Sequence, residues 1–343
     1  VGTVVSAHLR QRSLDAELIG YDAGFFSSCV TGMDVLPEYV LDRQIFGDVR
    51  DFDPAHLEGV DHVVHLAAIS NDPISNQFEQ ATYDINHRAT VDIARAARQQ
   101  GVRSFVFASS CSMYGFAASG ARTEDSELNP LTPYARSKVM AERDLASVAA
   151  NDFRVTCLRY STACGFSPRL RLDLVLNDFV ACAVAGQKIA VLSDGTPWRP
   201  LINVADMALA IEWAIVREDD AGRDGFLAVN VGADEWNTQV RDLAESVARH
   251  IPGASVSINS DAPPDKRSYR VDFGLYRRLA PFHQPRTDLT QSIVELRDGL
   301  QRMRFADGEF HSSTLMRINH LSRLREQGLL DSDFRWIHAP QMA

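Results

Sequence analysis

Tyr134 and Lys138 stand four residues apart in the run Pro133-Tyr134-Ala135-Arg136-Ser137-Lys138. On a helix that spacing puts a phenol and an ammonium on one face, one turn apart. A nearby ammonium favours the phenolate and lowers the tyrosine pKa towards neutrality. A phenol tuned in this way can take a proton from an alcohol or sugar hydroxyl. The same spacing also arises on plain solvated helix faces, so the pair alone does not specify chemistry. Upstream, Ala108-Ser109-Ser110-Cys111-Ser112-Met113-Tyr114-Gly115 follows an apolar strand and gathers three hydroxyls and a thiol at its end. A serine-rich turn would have this composition too. With Tyr134 and Lys138 close behind, one hydroxyl can hold the oxygen that Tyr134 deprotonates.

Other candidates fall at the ends of predicted strands, where open parallel sheets bind ligands. Asp22 closes a short apolar run twenty residues after Gly2. That is the distance at which an acid reaches a ribose hydroxyl of a dinucleotide. No arginine follows in Ala23-Gly24-Phe25-Phe26 to receive a 2′-phosphate, which favours NAD over NADP. Taken alone, Asp22 is equally a turn residue. His65-Leu66-Ala67-Ala68 ends another strand in small residues, which admit either a flat cofactor or a closely packed helix. Asp48, in Gly47-Asp48-Val49-Arg50-Asp51, faces an adenine amino group on one reading and sits in a surface turn on the other.

The pattern around these residues predicts the elements that position them. Residues 1–9 read as a helix, 16–22 and 61–68 as strands, 89–100 as a helix and 102–110 as a strongly apolar strand. A helix over 133–150, opened by a proline, and a strand over 153–158 follow. Strands alternating with helices imply an α/β fold, a doubly wound parallel sheet of Rossmann type. Beyond residue 165 the pattern loosens, with helices at 172–185, 203–215 and 238–250 and strands at 188–192 and 226–231. The expected division is a dinucleotide-binding domain over 1–165 and a mainly substrate-binding part over 166–343, some of whose elements return to the first sheet.

The chain has 343 residues, 45% of them hydrophobic, enough for one large or two smaller cores. Its net charge of −10 and the lack of a basic block argue against a nucleic-acid partner. A few placed arginines still suffice for a phosphorylated small molecule. Five cysteines (Cys29, Cys111, Cys157, Cys164, Cys182) form no Cys-x-x-Cys pair, and no histidines cluster with them. They read as reduced thiols of a cytoplasmic protein, with no metal site. No apolar run is long enough to span a membrane and no signal peptide is visible, while a targeting segment ahead of Val1 stays open.

These residues together carry a resemblance. In order and spacing, Gly2, Asp22, residues 47–51, His65 to Ala68, Asn86, Ser109 to Gly115, Tyr134 to Lys138, Leu158-Arg159-Tyr160, Trp198-Arg199-Pro200 and Val204-Ala205-Asp206 are similar to an extended short-chain dehydrogenase/reductase. The group resembled is the NAD-dependent epimerase/dehydratase family, which acts on nucleotide sugars, and the likeness runs to about residue 275. It implies that Gly2 is the last glycine of a Gly-x-x-Gly-x-x-Gly loop whose earlier part, with the first strand, lies ahead of Val1. A polypeptide truly starting at Val1 is expected to bind NAD poorly or fold badly.

By the same resemblance, Ser110 is the catalytic hydroxyl, Tyr134 the base, and Lys138 both tunes Tyr134 and binds the nicotinamide ribose. With Tyr134 and Lys138, the cofactor contacts it implies are Gly2, Asp22, Asp48, Val49, Leu66, Ala67, Ala68, Asn86, Ser109 and Ser161. Ser110, Thr162, Asn177, Arg199 and Arg267 fall where substrate binds, Arg199 as a bidentate phosphate ligand. Cys111-Ser112 stands where 4,6-dehydratases carry an Asp-Glu pair, so Cys111 is the one candidate acid there. Thr162 replaces the usual Asn. Ala262 replaces an Arg whose charge Arg267 could supply.

The expected activity is nucleotide-sugar epimerisation at C4 through a 4-keto sugar. A dehydratase, decarboxylase or reductase using the same intermediate is the alternative, and a catalytically silent NAD-binding protein a third. The resemblance also implies a homodimer, paired through helices at about 81–100 and 133–150.

Overall fold

The computed structural model describes residues 1–13, 15–70, 72–217, 225–262 and 267–337. The chain opens with α1 (Gly2–Arg12), then β1 (Ile19–Asp22), β2 (Arg43–Phe46) and β3 (His62–His65). The short helices α2 (Asp72–Gln77) and α3 (Glu79–Tyr83) run through a π-helical turn at Asp84–Ala89 into α4 (Thr90–Gln99). Next come β4 (Ser104–Ser110), β5 (Phe116–Arg122), α5 (Pro133–Val148), β6 (Arg154–Tyr160) and β7 (Thr162–Cys164). The second half continues with α6 (Val175–Val184), β8 (Ile189–Val191), β9 (Trp198–Asn203), α7 (Val204–Val216), β10 (Phe226–Val231) and β11 (Asn237–Gln239). It ends with α8 (Val240–His250), β12 (Val256–Ile258), β13 (Ser268–Val271), α9 (Gly274–Leu279), α10 (Leu289–Arg302) and α11 (Arg317–Glu326).

The central sheet has the order β10-β6-β4-β3, all parallel. Its middle strands are near-continuous apolar runs because both faces are covered. Phe105, Phe107, Val155 and Cys157 pack against α4 and α5 on one face. Val106, Leu158, Val229 and Val231 pack against α7 and, through Val5, α1 on the other. This is the expected doubly wound arrangement. β10 comes from the second half of the chain and extends the first sheet beside β6. β1 and β2 form a separate parallel pair, not hydrogen-bonded to the central sheet among the described residues.

A second core gathers α6, α8 and α10 around Phe179, Val180, Leu243, Val247, Leu296 and Leu300. Asp206 at the start of α7 accepts backbone N–H groups of Arg286 and Thr287 and so pins the entry to α10. No described helix is long and apolar enough to cross a membrane.

Candidate functional site

β4 ends at Ser110, whose side chain accepts the Ser112 N–H (3.1 Å) and so caps the short turn at Cys111–Tyr114. α5 begins two residues before Ala135, capped by Thr132 Oγ1, which accepts the Ala135 N–H (3.2 Å). The cap and Pro133 at the first helical position fix where Tyr134 stands. The Ser110 hydroxyl, which donates to Ser112 Oγ (2.9 Å), lies close enough to the Tyr134 hydroxyl to lower its pKa. Lys138, one turn on, is 2% exposed and donates to the Ala108 carbonyl (2.7 Å). Its ammonium lies 4.4 Å from the Phe107 ring centroid and 5.8 Å from that of Tyr134.

The pKa reading differs from the sequence expectation. Burial raises Tyr134 above its ordinary value, against the Ser110 hydroxyl, which lowers it. Lys138 is pulled from 10.5 to about 7, chiefly by burial. The ammonium is spent on a β4 carbonyl and an aromatic face, so in this arrangement it does not hold Tyr134 as phenolate.

Asn86 is fully buried and supports Tyr134 at one remove. Its Oδ1 accepts the Ile69 N–H (2.7 Å), and its Nδ2 donates to the Ile69 carbonyl and to Ser137 Oγ (3.1 Å). Ser137 in turn donates to the Tyr134 carbonyl (2.7 Å). The π-helical turn that carries Asn86 is the kind of irregularity that gathers at functional sites. Helical periodicity alone does not reveal it.

Strand alternation separates the serines. Ser109 turns away from Ser110 and donates to Glu142 (2.5 Å). Glu142 is salt-bridged to Arg159 (2.7 Å), and Arg159 donates to the Tyr114 hydroxyl, which donates to Asn230 (2.7 Å). Any cofactor contact of Ser109 is therefore left to its backbone. Cys111 is fully buried, its thiol set 3.0 Å from the Arg159 carbonyl and driven well above the usual thiol range by burial. This corrects the reading of Cys111 as an acid for substrate: it faces Tyr114, Tyr269 and Phe273 in a small core.

On the dinucleotide side, Asp22 is exposed at the end of β1, with one carboxylate oxygen accepting the Gly24 N–H (2.6 Å). Leu66, Ala67 and Ala68 are partly exposed after β3, and a Cβ at Gly2 would meet only Leu66, at 3.9 Å. The small residues thus leave the backbone approachable. Val49 is half-buried beside them, while Asp48 gives its carboxylate to Arg50, which accounts for its lowered pKa despite burial.

The substrate-side residues divide. Arg267 pairs with Asp72 (2.8 Å), which also accepts from Thr132, so it reaches the α5 cap beside Tyr134. Arg199 is partly exposed on β9 and donates to the Trp198 carbonyl (3.0 Å). Thr162 is partly exposed on β7. Ser161 is buried and donates to the Val231 carbonyl (3.2 Å). Asn177 is corrected: it is 1% exposed, with Oδ1 on the Gly165 N–H and Nδ2 on the Arg171 carbonyl, so it fastens the 165–171 loop and has no free amide for substrate.

Arg171 is a candidate that the motifs did not single out. It donates to Ser70 after β3 (2.8 Å), pairs with Asp173, and couples electrostatically to Tyr134. Away from the cleft, carboxylate, thiol and imidazole of Asp178, Cys182 and His311 lie within 4.8 Å of one another, a grouping the sequence spacing does not show. His311 is already satisfied on Asp178 (2.5 Å).

The residues present fit NAD: an exposed acid at the end of β1, approachable backbone after β3, and the Ser110–Tyr134–Lys138 set at the end of β4. Comparison with known proteins agrees. The NAD dependent epimerase/dehydratase family matches residues 1–232. A dTDP-glucose 4,6-dehydratase of Streptomyces griseus is 31% identical over 75% of this chain and 76% of its own length. The structure of MoeE5 in complex with UDP-glucose and NAD, at 26% identity, superposes with a TM-score of 0.72 over 88% of this chain and 95% of that one. A UDP-glucuronic acid 4-epimerase from Bacillus cereus shares the fold at 21% identity, with a TM-score of 0.73 over 88% and 96%. The chain belongs to the NAD-dependent epimerase/dehydratase family of extended short-chain dehydrogenases/reductases and uses NAD.

Proposed function

We propose that this protein epimerises a nucleotide sugar at C4. The observation that carries the reading is the gathering of Ser110, Tyr134 and Lys138 at the end of β4, with the Lys138 ammonium on the Ala108 carbonyl and 5.8 Å from the Tyr134 ring. Tyr134 takes the proton of the 4-hydroxyl and later returns it, while Ser110 holds the same oxygen. Bound NAD supplies the two-electron acceptor and donor that oxidation at C4 and its reversal require. A 4-keto sugar that turns over before reduction is reduced on its other face, so no net redox change results. Asp22, Leu66, Ala67, Ala68 and Lys138 hold the cofactor, and Arg199 and Arg267 the nucleotide phosphates.

The likeness to a 4,6-dehydratase favours the second reading, in which water is lost from the 4-keto sugar. That step needs an acid and a base beyond Tyr134. Here Cys111 is buried in core and Ser112 is a poor acid, which supports epimerisation instead. The test is incubation with UDP- and dTDP-hexoses followed by mass spectrometry. Unchanged mass with altered retention is expected; loss of one water would overturn the epimerase in favour of the lyase. A homodimer formed through α4 and α5 is part of the same proposal, and sedimentation checks it.

A further inference from the structure

The C-terminal segment does not pack on the second half of the molecule alone. Phe334, Leu330 and Leu321 join Phe25, Phe26, Val49 and Ile69 in one cluster beside the ends of β1 and β3. His320 is hydrogen-bonded to the Phe25 carbonyl (2.7 Å), and Trp336 donates to the Ala23 carbonyl (2.6 Å). α11 therefore sits on the loop that follows Asp22.

Arg317 opens this helix and is 7% exposed. Its guanidinium stacks over Phe26 (4.1 Å) and gives one N–H to the Arg169 carbonyl (3.2 Å), but its buried Nη1 has no hydrogen-bond partner. Its neighbours are cations with partners of their own. Arg169 is paired with Glu38, and Arg171 with Asp173. Arg317 has no ion pair among the described residues. Burial, then Arg171, pulls it to about 10. A buried guanidinium with an unused donor, stacked on Phe26 in the loop that follows β1, is suited to take an anion there.

We propose that Arg317 is a phosphate ligand of the dinucleotide, so that α11 closes the cofactor site with a residue from the far end of the chain. The inference rests on the dinucleotide lying across the ends of β1 and β3, and is independent of what is done to the sugar. A planar fork suits a phosphate bidentately, and Phe26 holds its plane.

The test is titration of the full chain and of Arg317→Met with NAD, ADP and adenosine by calorimetry, alongside thermal unfolding without ligand. The variant is expected to bind NAD and ADP about tenfold or more weakly, as a lost charge-assisted contact requires, with adenosine unchanged. Its unliganded unfolding midpoint is expected to stay level or rise, because an unpaired buried charge is gone. NAD and ADP affinities within about twofold of the wild type would overturn the proposal. So would a loss confined to folding stability. A wild type that binds neither NAD nor ADP overturns the dinucleotide site itself, whereas one that binds both but leaves sugars unchanged overturns only the epimerase reading. If Arg317→Met does not fold, hydrogen exchange on the wild type decides. ADP is expected to slow exchange at 317–326, and unchanged exchange there counts against the proposal.

Discussion

The two sides of the cleft are built differently. Around β4, α5 and β6 the Ser110–Tyr134–Lys138 set is embedded in core, and a run of buried polar groups behind it is linked one to the next: Ser109 on Glu142, Glu142 on Arg159, Arg159 on Tyr114, Tyr114 on Asn230. Around β1 and β2 the strands are only half-buried, Asp22 is exposed, and the covering comes from α11 and the segment after it. The first side spends buried polar groups on holding atoms still. The second holds its functional groups where a large ligand can reach them and uses late sequence to close over them.

The sharpest test of this contrast is Tyr134→Phe. Removing the hydroxyl is expected to lower kcat by about 10²–10⁴-fold, the usual worth of a general acid–base group, while fluorescence titration shows NAD affinity unchanged. Substantial turnover by the variant would remove Tyr134 from its role. Glu142→Ala comes next. It leaves Arg159 buried without its counter-charge and is expected to cost about 3–5 kcal/mol in urea unfolding. A loss below about 1 kcal/mol would mean that the network is not what holds this side.

Lys138→Met has a smaller effect with a clear sign. The folded-state pKa of Lys138 is depressed from 10.5 to about 7, so between those values the unfolded chain binds the extra proton. Its contribution therefore makes stability rise with pH across that window. The difference in unfolding midpoint between variant and wild type is expected to favour the variant near pH 7 and shrink towards pH 10. A constant difference would show that the ammonium is not desolvated. Least disruptive is Asp22→Ala. Exposed at a strand end, it is expected to change stability by no more than about 0.5 kcal/mol, yet to weaken NAD binding about tenfold through lost ribose contacts. Unchanged NAD affinity would detach β1 from the cofactor.

The same contrast governs what the amino-acid sequence discloses. Apolar runs and helix periods placed β4, α5, β6, α7 and β10 within a few residues, because buried parallel strands and capped helices follow local rules. The Tyr134–Lys138 spacing and the serine-rich strand end were legible for that reason. Side-chain direction was less so. Cys111 and Ser109 share the motif with Ser110, but alternation along β4 turns Ser109 inward and the turn after the strand buries Cys111. Asn177 looks like a ligand in the sequence and serves as a loop clamp. The residues of α11 carry no local motif that assigns them a role. No local pattern records that Arg317 lies beside Arg169 and Arg171, because that proximity is made by tertiary packing across about half the chain.

Trp336 and Ala23 meet across 313 residues of sequence. The entropy of closing so long a loop grows only logarithmically with length, so the contact costs little at equilibrium. In time it costs more. A chain emerging from the ribosome completes β4, α5 and β6 from neighbouring sequence, but the cover over β1 waits for Trp336, made 313 residues after Ala23. Tyr134 is thus in place well before the dinucleotide side is closed, and a nascent chain cut short before α11 holds the Ser110–Tyr134–Lys138 set without its cover.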